Sequence, residues 1–289
     1  MTKIIVNATH KGGEGKTTNS IMLAEYSALI QKKKTLIIDM DPQANFSGRY
    51  LKMEYDPEYQ GGKIPPYHPD YEPDKDLDWD GRSGIANIFY GQDVVPYPTQ
   101  LENLELLPAH SNKLQEAEAV TKDEVLKKVH VQLKKFLDDE DVRASYDVII
   151  IDTPPSKGPL TIAAIKAASH LIIPAKMEQF SIEGIMGMLQ LWTQEQYSRP
   201  ANSPLNLVGI LPNQVRNLNL HKNFLGELRL QKRTSEYILP NKIQMRAAYT
   251  EILVEDANPS SIFSLPKNNV ARIEYEAACK YMMEKIYNG

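Results

Sequence analysis

Lys11-Gly12-Gly13-Glu14-Gly15-Lys16-Thr17-Thr18 is the stretch in which residue type and spacing most directly imply chemistry. Glycines let a backbone curl so that several N–H groups point at one anion. A helix beginning near Thr18 would add the partial positive charge of its N-terminus. Lys16 is then placed to meet β- and γ-phosphates, and the Thr17 hydroxyl to ligate Mg²⁺. The strict pattern G-x-x-x-x-G-K-[ST] asks for glycine where His10 stands. A glycine-rich turn with incidental lysines is the competing reading. It does not explain why the apolar run Ile4-Ile5-Val6 precedes the loop and a helical pattern follows it. Lys11 is the unusual residue, because a lysine at the mouth of its own loop cannot easily reach the same phosphates from inside.

Two further constellations are carboxylates at the ends of apolar runs. Thr35-Leu36-Ile37-Ile38 runs into Asp39-Met40-Asp41-Pro42-Gln43, and Val148-Ile149-Ile150-Ile151 runs into Asp152-Thr153-Pro154-Pro155-Ser156. Carboxylates at the C-terminal end of parallel strands lie where open α/β sheets bind ligands. Aspartates that close a strand are often only turn formers, but here they accompany a phosphate loop. Asp152 should hold Mg²⁺ through its water shell. The prolines after it would stiffen a loop beside the γ-phosphate, which could report whether that phosphate is present.

The elements that must position these groups can be read from periodicity. Apolar runs near 4–6, 35–38, 104–107, 148–151, 171–174 and 205–211 read as strands buried on both faces. Helical patterns cover 18–32, a short helix at 84–90, then 122–138, a helix from 178 through 192, and 270–286. In the 122–138 helix, Val125, Leu126, Val129, Leu133, Phe136 and Leu137 form the expected core stripe. The C-terminal helix carries Glu274, Glu276 and Glu284, whereas a membrane-surface helix would favour lysine and arginine. It reads as a packing helix.

Residues 54–80 break the pattern with four tyrosines, five prolines, nine carboxylates and two lysines. Such a segment reads as a loop excursion or lid, either a solvated surface or a partner-binding one. Its local charge of −7 exceeds the whole chain's −4, so the remaining residues carry +3. The stretch 213–246 is the basic counterpart. It holds Arg216, Lys222, Arg229, Lys232, Arg233, Lys242 and Arg246 against Glu227 and Glu236. It is either a solvated face or a surface for DNA phosphates. A single cysteine, Cys279, excludes a disulfide framework or a cysteine-ligated cluster within one chain. The N-terminus shows no signal-peptide pattern, and no window reaches about 18 uninterrupted apolar residues, so neither export nor a membrane span is expected.

The signature lysine Lys11, the Asp39-x-Asp41-Pro42-Gln43 run, the Leu106-Leu107-Pro108-Ala109 run and the Asp152-Thr153-Pro154-Pro155-Ser156 run occur in this order. Together they resemble the ParA/MinD family of deviant Walker A ATPases, closest to small ParA-type partition proteins. The resemblance covers nearly the whole chain outside 54–80. It implies a doubly wound, mostly parallel sheet with helices on both faces, in a single P-loop domain over residues 1–289. It implies ATP and Mg²⁺ as ligands and ATP hydrolysis as the activity. Gly12, Gly13, Glu14, Gly15, Lys16, Thr17 and Thr18 would hold phosphate. Pro212 and Asn213 would lie near adenine, Asp39 would support the metal with Thr17 and Asp152, and Asp41 would position the attacking water. Lys11 would reach across a homodimer to the partner's nucleotide. The resemblance further implies a nucleoid-associated cytoplasmic protein that binds non-specific DNA and is released by a ParB-like centromere-binding protein. A MinD-like regulator cycling on a membrane, or an ATPase positioning some other cargo, is the alternative. In the family's DNA-binding region, the aligned positions here are Asn241 and Gln244, with Lys242 and Arg246 displaced nearby.

Overall fold

The computed structural model describes residues 1–254 and 260–288. Strand β1 (Lys3–Asn7) runs into the phosphate loop, and helix α1 (Lys16–Glu25) leaves it. β2 (Thr35–Asp39) is followed by α2 (Ser47–Tyr50) and the short strands β3 (Glu54–Tyr55) and β4 (Lys63–Ile64). A 3-10 turn over Ile85–Tyr90 leads to β5 (Tyr97–Pro98) and β6 (Leu104–Leu107). Then come α3 (Ser111–Glu118), α4 (Asp123–Leu137), α5 (Glu140–Ser145) and β7 (Val148–Asp152). The second half alternates through α6 (Pro159–Ala167), β8 (His170–Lys176), α7 (Gln179–Ser198) and β9 (Asn206–Asn213). It closes with α8 (Asn219–Leu230), α9 (Ala247–Glu251) and α10 (Val270–Asn288).

Seven strands form one sheet in the order β5-β6-β2-β7-β1-β8-β9. Every pairing is parallel except that of the edge strand β5 with β6. The fold is therefore a doubly wound, mostly parallel sheet. Period-two alternation sorts side chains between two cores. Ile4, Val6, Leu36, Ile38, Ile149 and Ile151 face α4, α6 and α7, while Ile5, Ile37, Val148 and Ile150 face α1 and α10. Both faces are covered, which is why β7 is buried at all five positions.

Local chemistry sets the helix ends. Asp39 and Asp152 stop their strands, and Gly158-Pro159 opens α6 with proline at a position where the N–H would be orphaned anyway. Asp139 caps α5 by accepting from Asp141 and Val142 N–H. The helix expected over 18–32 is α-helical only to Glu25 and continues as a π-helical segment over Tyr26–Ile30. In α4, Val129, Leu133 and Leu137 are buried as the stripe requires, but Val125 in the first turn is exposed.

The 54–80 segment is more structured than a loop excursion. β3 and β4 pair antiparallel, and Lys63 N–H donates to Ser111 Oγ at 2.9 Å, fastening the segment to α3. His68 is buried between Trp79 and Tyr97, and Tyr67 stacks on Tyr71. Arg82 lies over the Tyr67 ring and pairs with Glu54 at 2.7 Å. Aromatic contacts supply the order that periodicity could not reveal.

Candidate functional site

Register brings the carboxylates together. Asn7 on β1 lies opposite Asp152 on β7, and Asp152 lies opposite Asp39 on β2. Three neighbouring strands thus end at one level, and the phosphate loop rises from the first of them. Gly15 turns the chain into α1 with φ 84° and ψ 29°, a left-handed conformation that favours glycine. A Cβ at Gly15 would also stand 2.1 Å from Asn213 Nδ2.

The loop is held mainly from outside itself. Asn213 Nδ2 donates to Glu14 O and Gln214 Nε2 to Gly13 O, both at 2.9 Å. The buried Glu14 carboxylate accepts Ser181 Oγ–H at 3.0 Å and Lys176 N–H at 2.5 Å. Glu14 therefore contributes backbone to a phosphate cradle while its side chain ties the loop to β8 and α7. Asn213 similarly fastens the loop through its side-chain amide. Pro212 pairs in the sheet with Ala175, and its carbonyl accepts Ile243 N–H at 2.8 Å.

Lys16 Nζ points into the loop and donates to Lys11 O at 3.3 Å. Burial disfavours its charged form, while Asp152, Asp41 and Glu14 favour it. Thr17 Oγ1–H donates to Asp152 Oδ2 at 2.7 Å, and Ser20 Oγ–H donates to Asp152 Oδ1 at 2.8 Å. Asn7 in turn donates to Ser20 Oγ at 3.0 Å. Asp39 accepts Ser47 N–H at 2.8 Å and Ser47 Oγ–H at 2.7 Å on one oxygen, and Asp41 N–H at 3.1 Å on the other. Asp41 accepts Gln43 N–H at 3.0 Å.

Burial pushes the Asp39 carboxyl up to about 7, with the Asp152 charge adding to the effect. Burial likewise raises Asp152 to about 6, against hydrogen bonds from Thr17 and Ser20. Asp41 is raised by burial, opposed by the Gln43 N–H and the Lys16 charge. Two buried carboxylates that destabilise one another's charge, beside a threonine hydroxyl, suit a divalent cation with oxygen ligands. Among the described residues no three His, Cys, Asp or Glu side chains gather as a metal cage. Because its oxygens already accept from Ser47 and Asp41, Asp39 is best suited to act from behind.

Beside Thr18 lies a cavity of about 120 Å³, walled by Gln214, Gln244, Met245, Arg246, Tyr249 and Tyr275 among others. Its place next to the phosphate loop and its mixed polar and aromatic lining suit a nucleobase. Sequence reasoning placed Asn213 and Pro212 near the base. Asn213 lines this cavity and Pro212 does not, while the other walls come largely from residues 244–253 and Tyr275, which no motif marks.

The basic stretch divides. Arg216, Lys222, Lys232, Arg233 and Lys242 are exposed. Arg246 is half-buried and paired with Glu274 at 3.1 Å, which raises its pKa further. Its charge is largely spent within the molecule, so it is a weaker candidate for DNA phosphate than its neighbours. Among the described residues no helix is long and apolar enough to cross a membrane.

A family model described as an AAA domain matches residues 2–207. The chain is 35% identical over 211 residues to the chromosome-partitioning ATPase Soj of Treponema pallidum (strain Nichols), covering 73% of this chain and 70% of that one. It is 30% identical over 253 residues to the sporulation initiation inhibitor protein Soj of Bacillus subtilis (strain 168), covering 86% and 88%. This chain belongs to the ParA/Soj family of partition ATPases. Solved structures share the fold. The ATP complex of a McdA variant from Cyanothece superposes with TM-score 0.73 at 21% identity, covering 98% of this chain and 96% of that one. A putative plasmid partition protein from Borrelia burgdorferi bound to AMPPNP gives 0.69 at 21% identity, covering 100% and 99%.

As a ParA/Soj ATPase, the chain hydrolyses ATP. Several residues that shape its site escaped sequence reading. Ser47 and Ser20 hold the two strand-end aspartates, and Glu118 holds the loop after Asp152. Serine and glutamate are too common for spacing alone to mark them.

Proposed function

We propose that ATP binding closes two copies of this chain face to face, and that the dimer binds DNA without sequence preference. The observation that carries this reading is the convergence of the phosphate loop with Asp39 and Asp152 at one level of the sheet, with Asp41 near enough to favour the Lys16 charge. Gly12, Gly13, Gly15, Lys16, Thr17 and Thr18 would cradle the phosphates. Thr17 and Asp152, backed by Asp39, would hold a Mg²⁺ ion that neutralises phosphate charge when bound. Asp41 would orient the water for in-line attack. Lys16 would stabilise charge developing on the transferred phosphoryl group.

Lys11 would complete the partner's site. Gly12 supports this: it is exposed, and a Cβ there would meet only Pro155 at 3.9 Å. No crowding within one copy demands a glycine, whereas close approach of a second copy would. The exposed cations Arg216, Lys222, Lys232, Arg233 and Lys242 would meet DNA phosphates. Two such patches bound together gain affinity through effective concentration, which makes dimerisation the DNA switch. The relatives named for chromosome partitioning support a role in DNA partition, with a ParB-like centromere-binding protein stimulating hydrolysis and release, in a cytoplasmic nucleoid-associated cycle.

Binding to random-sequence DNA with ATP, with ADP and without nucleotide tests this. An Asp41→Ala protein should bind DNA with ATP and stay bound, because hydrolysis no longer ends the state. Equal binding under all three conditions would overturn the reading.

A further inference from the structure

The loop that follows Asp152 is gripped by a side chain from another part of the chain. Glu118 is the last residue of α3. One of its oxygens accepts Ser156 Oγ–H at 2.5 Å, and the other accepts Leu160 N–H at 3.0 Å. Ser156 Oγ also accepts Gly158 N–H at 3.0 Å, so its hydroxyl links the loop backbone to Glu118.

This arrangement answers a local need. α6 begins with Gly158 as its flanking residue and Pro159 at its first position. Glycine has no side chain to cap the helix, and proline has no N–H, so Leu160 carries an orphan donor. Glu118 supplies the missing cap from α3, with its negative charge at the positive end of α6. Gly158 is what permits the approach, since a Cβ there would lie 2.0 Å from Glu118 Oε1.

The gripped loop is fastened beside the phosphate loop: Thr153 Oγ1–H donates to Asn7 O at 2.9 Å, where β1 ends. Pro154 and Pro155 allow little internal give, and Pro155 Cβ is the nearest atom to a Cβ built on Gly12, at 3.9 Å. A stiff path therefore runs from the phosphate loop through Pro155 and Ser156 to Glu118. Displacing the loop by an ångström would move the wall facing the transferred phosphate.

We propose that Glu118 is a positioning residue for ATP hydrolysis, acting through Ser156 and the start of α6 to fix the 153–158 loop against the phosphate loop. It does not line the cavity beside Thr18. Its loss should slow the chemical step and leave ground-state nucleotide binding alone. The inference rests on the ATPase activity and not on the proposed DNA or dimer roles.

Single-turnover ATP hydrolysis and ADP affinity, measured on the full chain, test it. Glu118→Gln keeps size but replaces one acceptor with an N–H₂ group, so it cannot accept from both Ser156 and Leu160. Hydrolysis should fall on the order of 10- to 100-fold, with ADP affinity within about twofold of the parent. Ser156→Ala should show the same split with a smaller loss. Adding it to Glu118→Gln should cost little more, because both remove one linkage. Glu118→Asp should recover part of the rate. Unchanged hydrolysis in Glu118→Gln, a parallel loss of ADP affinity, or fully additive losses would each overturn the proposal. If Glu118→Gln does not fold, Ser156→Ala decides alone: parental hydrolysis overturns the proposal, and the same split supports it.

Discussion

The molecule has two acidic regions, and they are built in opposite ways. At the strand ends, Asp39, Asp41 and Asp152 are buried, and each accepts identified hydrogen bonds. In the 54–80 segment most carboxylates are exposed around a small aromatic cluster, and their partners are partly exposed or close in sequence, as Arg82 is for Glu54 and Lys75 for Glu72. Burial makes a charge expensive, so a buried carboxylate persists only where surroundings or a ligand compensate it. Exposed carboxylates are screened and individually worth little. The difference teaches where acidity is chemistry and where it is surface.

The largest contrast should come from single truncations. Asp152→Ala should lower ATP hydrolysis by at least about a hundredfold, as loss of a charge-stabilising group commonly does. Asp78→Ala in the exposed segment should leave it unchanged. Steady-state phosphate release measures both, and equal losses would erase the distinction. Next in size is Lys11→Ala. It should abolish ATP-dependent dimerisation and DNA binding while ADP affinity stays within about threefold, as expected when an interaction is made only in the closed state. Sedimentation with ATP and titration with ADP separate the two. Retained dimerisation would sink the reading of Lys11.

A pH titration adds a third test. His170, buried at the start of β8, is lowered to about 4 by burial and then by the Lys3 charge. The fold prefers it neutral, whereas the unfolded chain takes its proton near the ordinary value of 6.5. Its stability contribution is full above that value and falls as pH drops toward 4, by an amount on the order of 3 kcal/mol. Asp39 and Asp152 have the opposite sign, because their raised values favour the protonated fold at low pH. Denaturant melts between pH 7 and 4 should show His170→Gln flattening the acid loss. An unchanged slope would refute the assignment. The smallest effect concerns the insert. Glu54→Gln removes a partly exposed ion pair with Arg82 and should cost no more than about 1 kcal/mol, with hydrolysis unaffected. A larger loss would show that this surface is built more like the strand ends.

Much of the site was legible because its chemistry is local in the chain. Lys16, Thr17 and Gly15 are neighbours, and Asp39 and Asp152 each end an apolar run. What was not legible depends on partners distant in sequence. Glu14 stands in the phosphate loop, but that its side chain is held by Ser181 across 167 positions had no local signal. Asn213 lines the cavity beside Thr18, and the grip of its amide on Glu14 O, 199 positions away, had no local signal. Arg246 looked like a free cation until Glu274 was placed beside it. The 54–80 segment had no period because aromatic packing, not strand or helix repetition, orders it.

By itself the sequence determined the parallel strands of the sheet, the phosphate loop and the identity of the reactive groups, but not the short strands β3, β4 and β5. Backbone conformation and apolar periodicity act over a few residues and are written where they act. Tertiary structure alone decided which polar side chains serve the nucleotide and which serve the loop that holds it. A buried donor or acceptor must find a partner, and that partner is chosen by distance in space. Strand register put Asn7, Asp152 and Asp39 at one level, and α3 carried Glu118 to the helix start that lacked a cap.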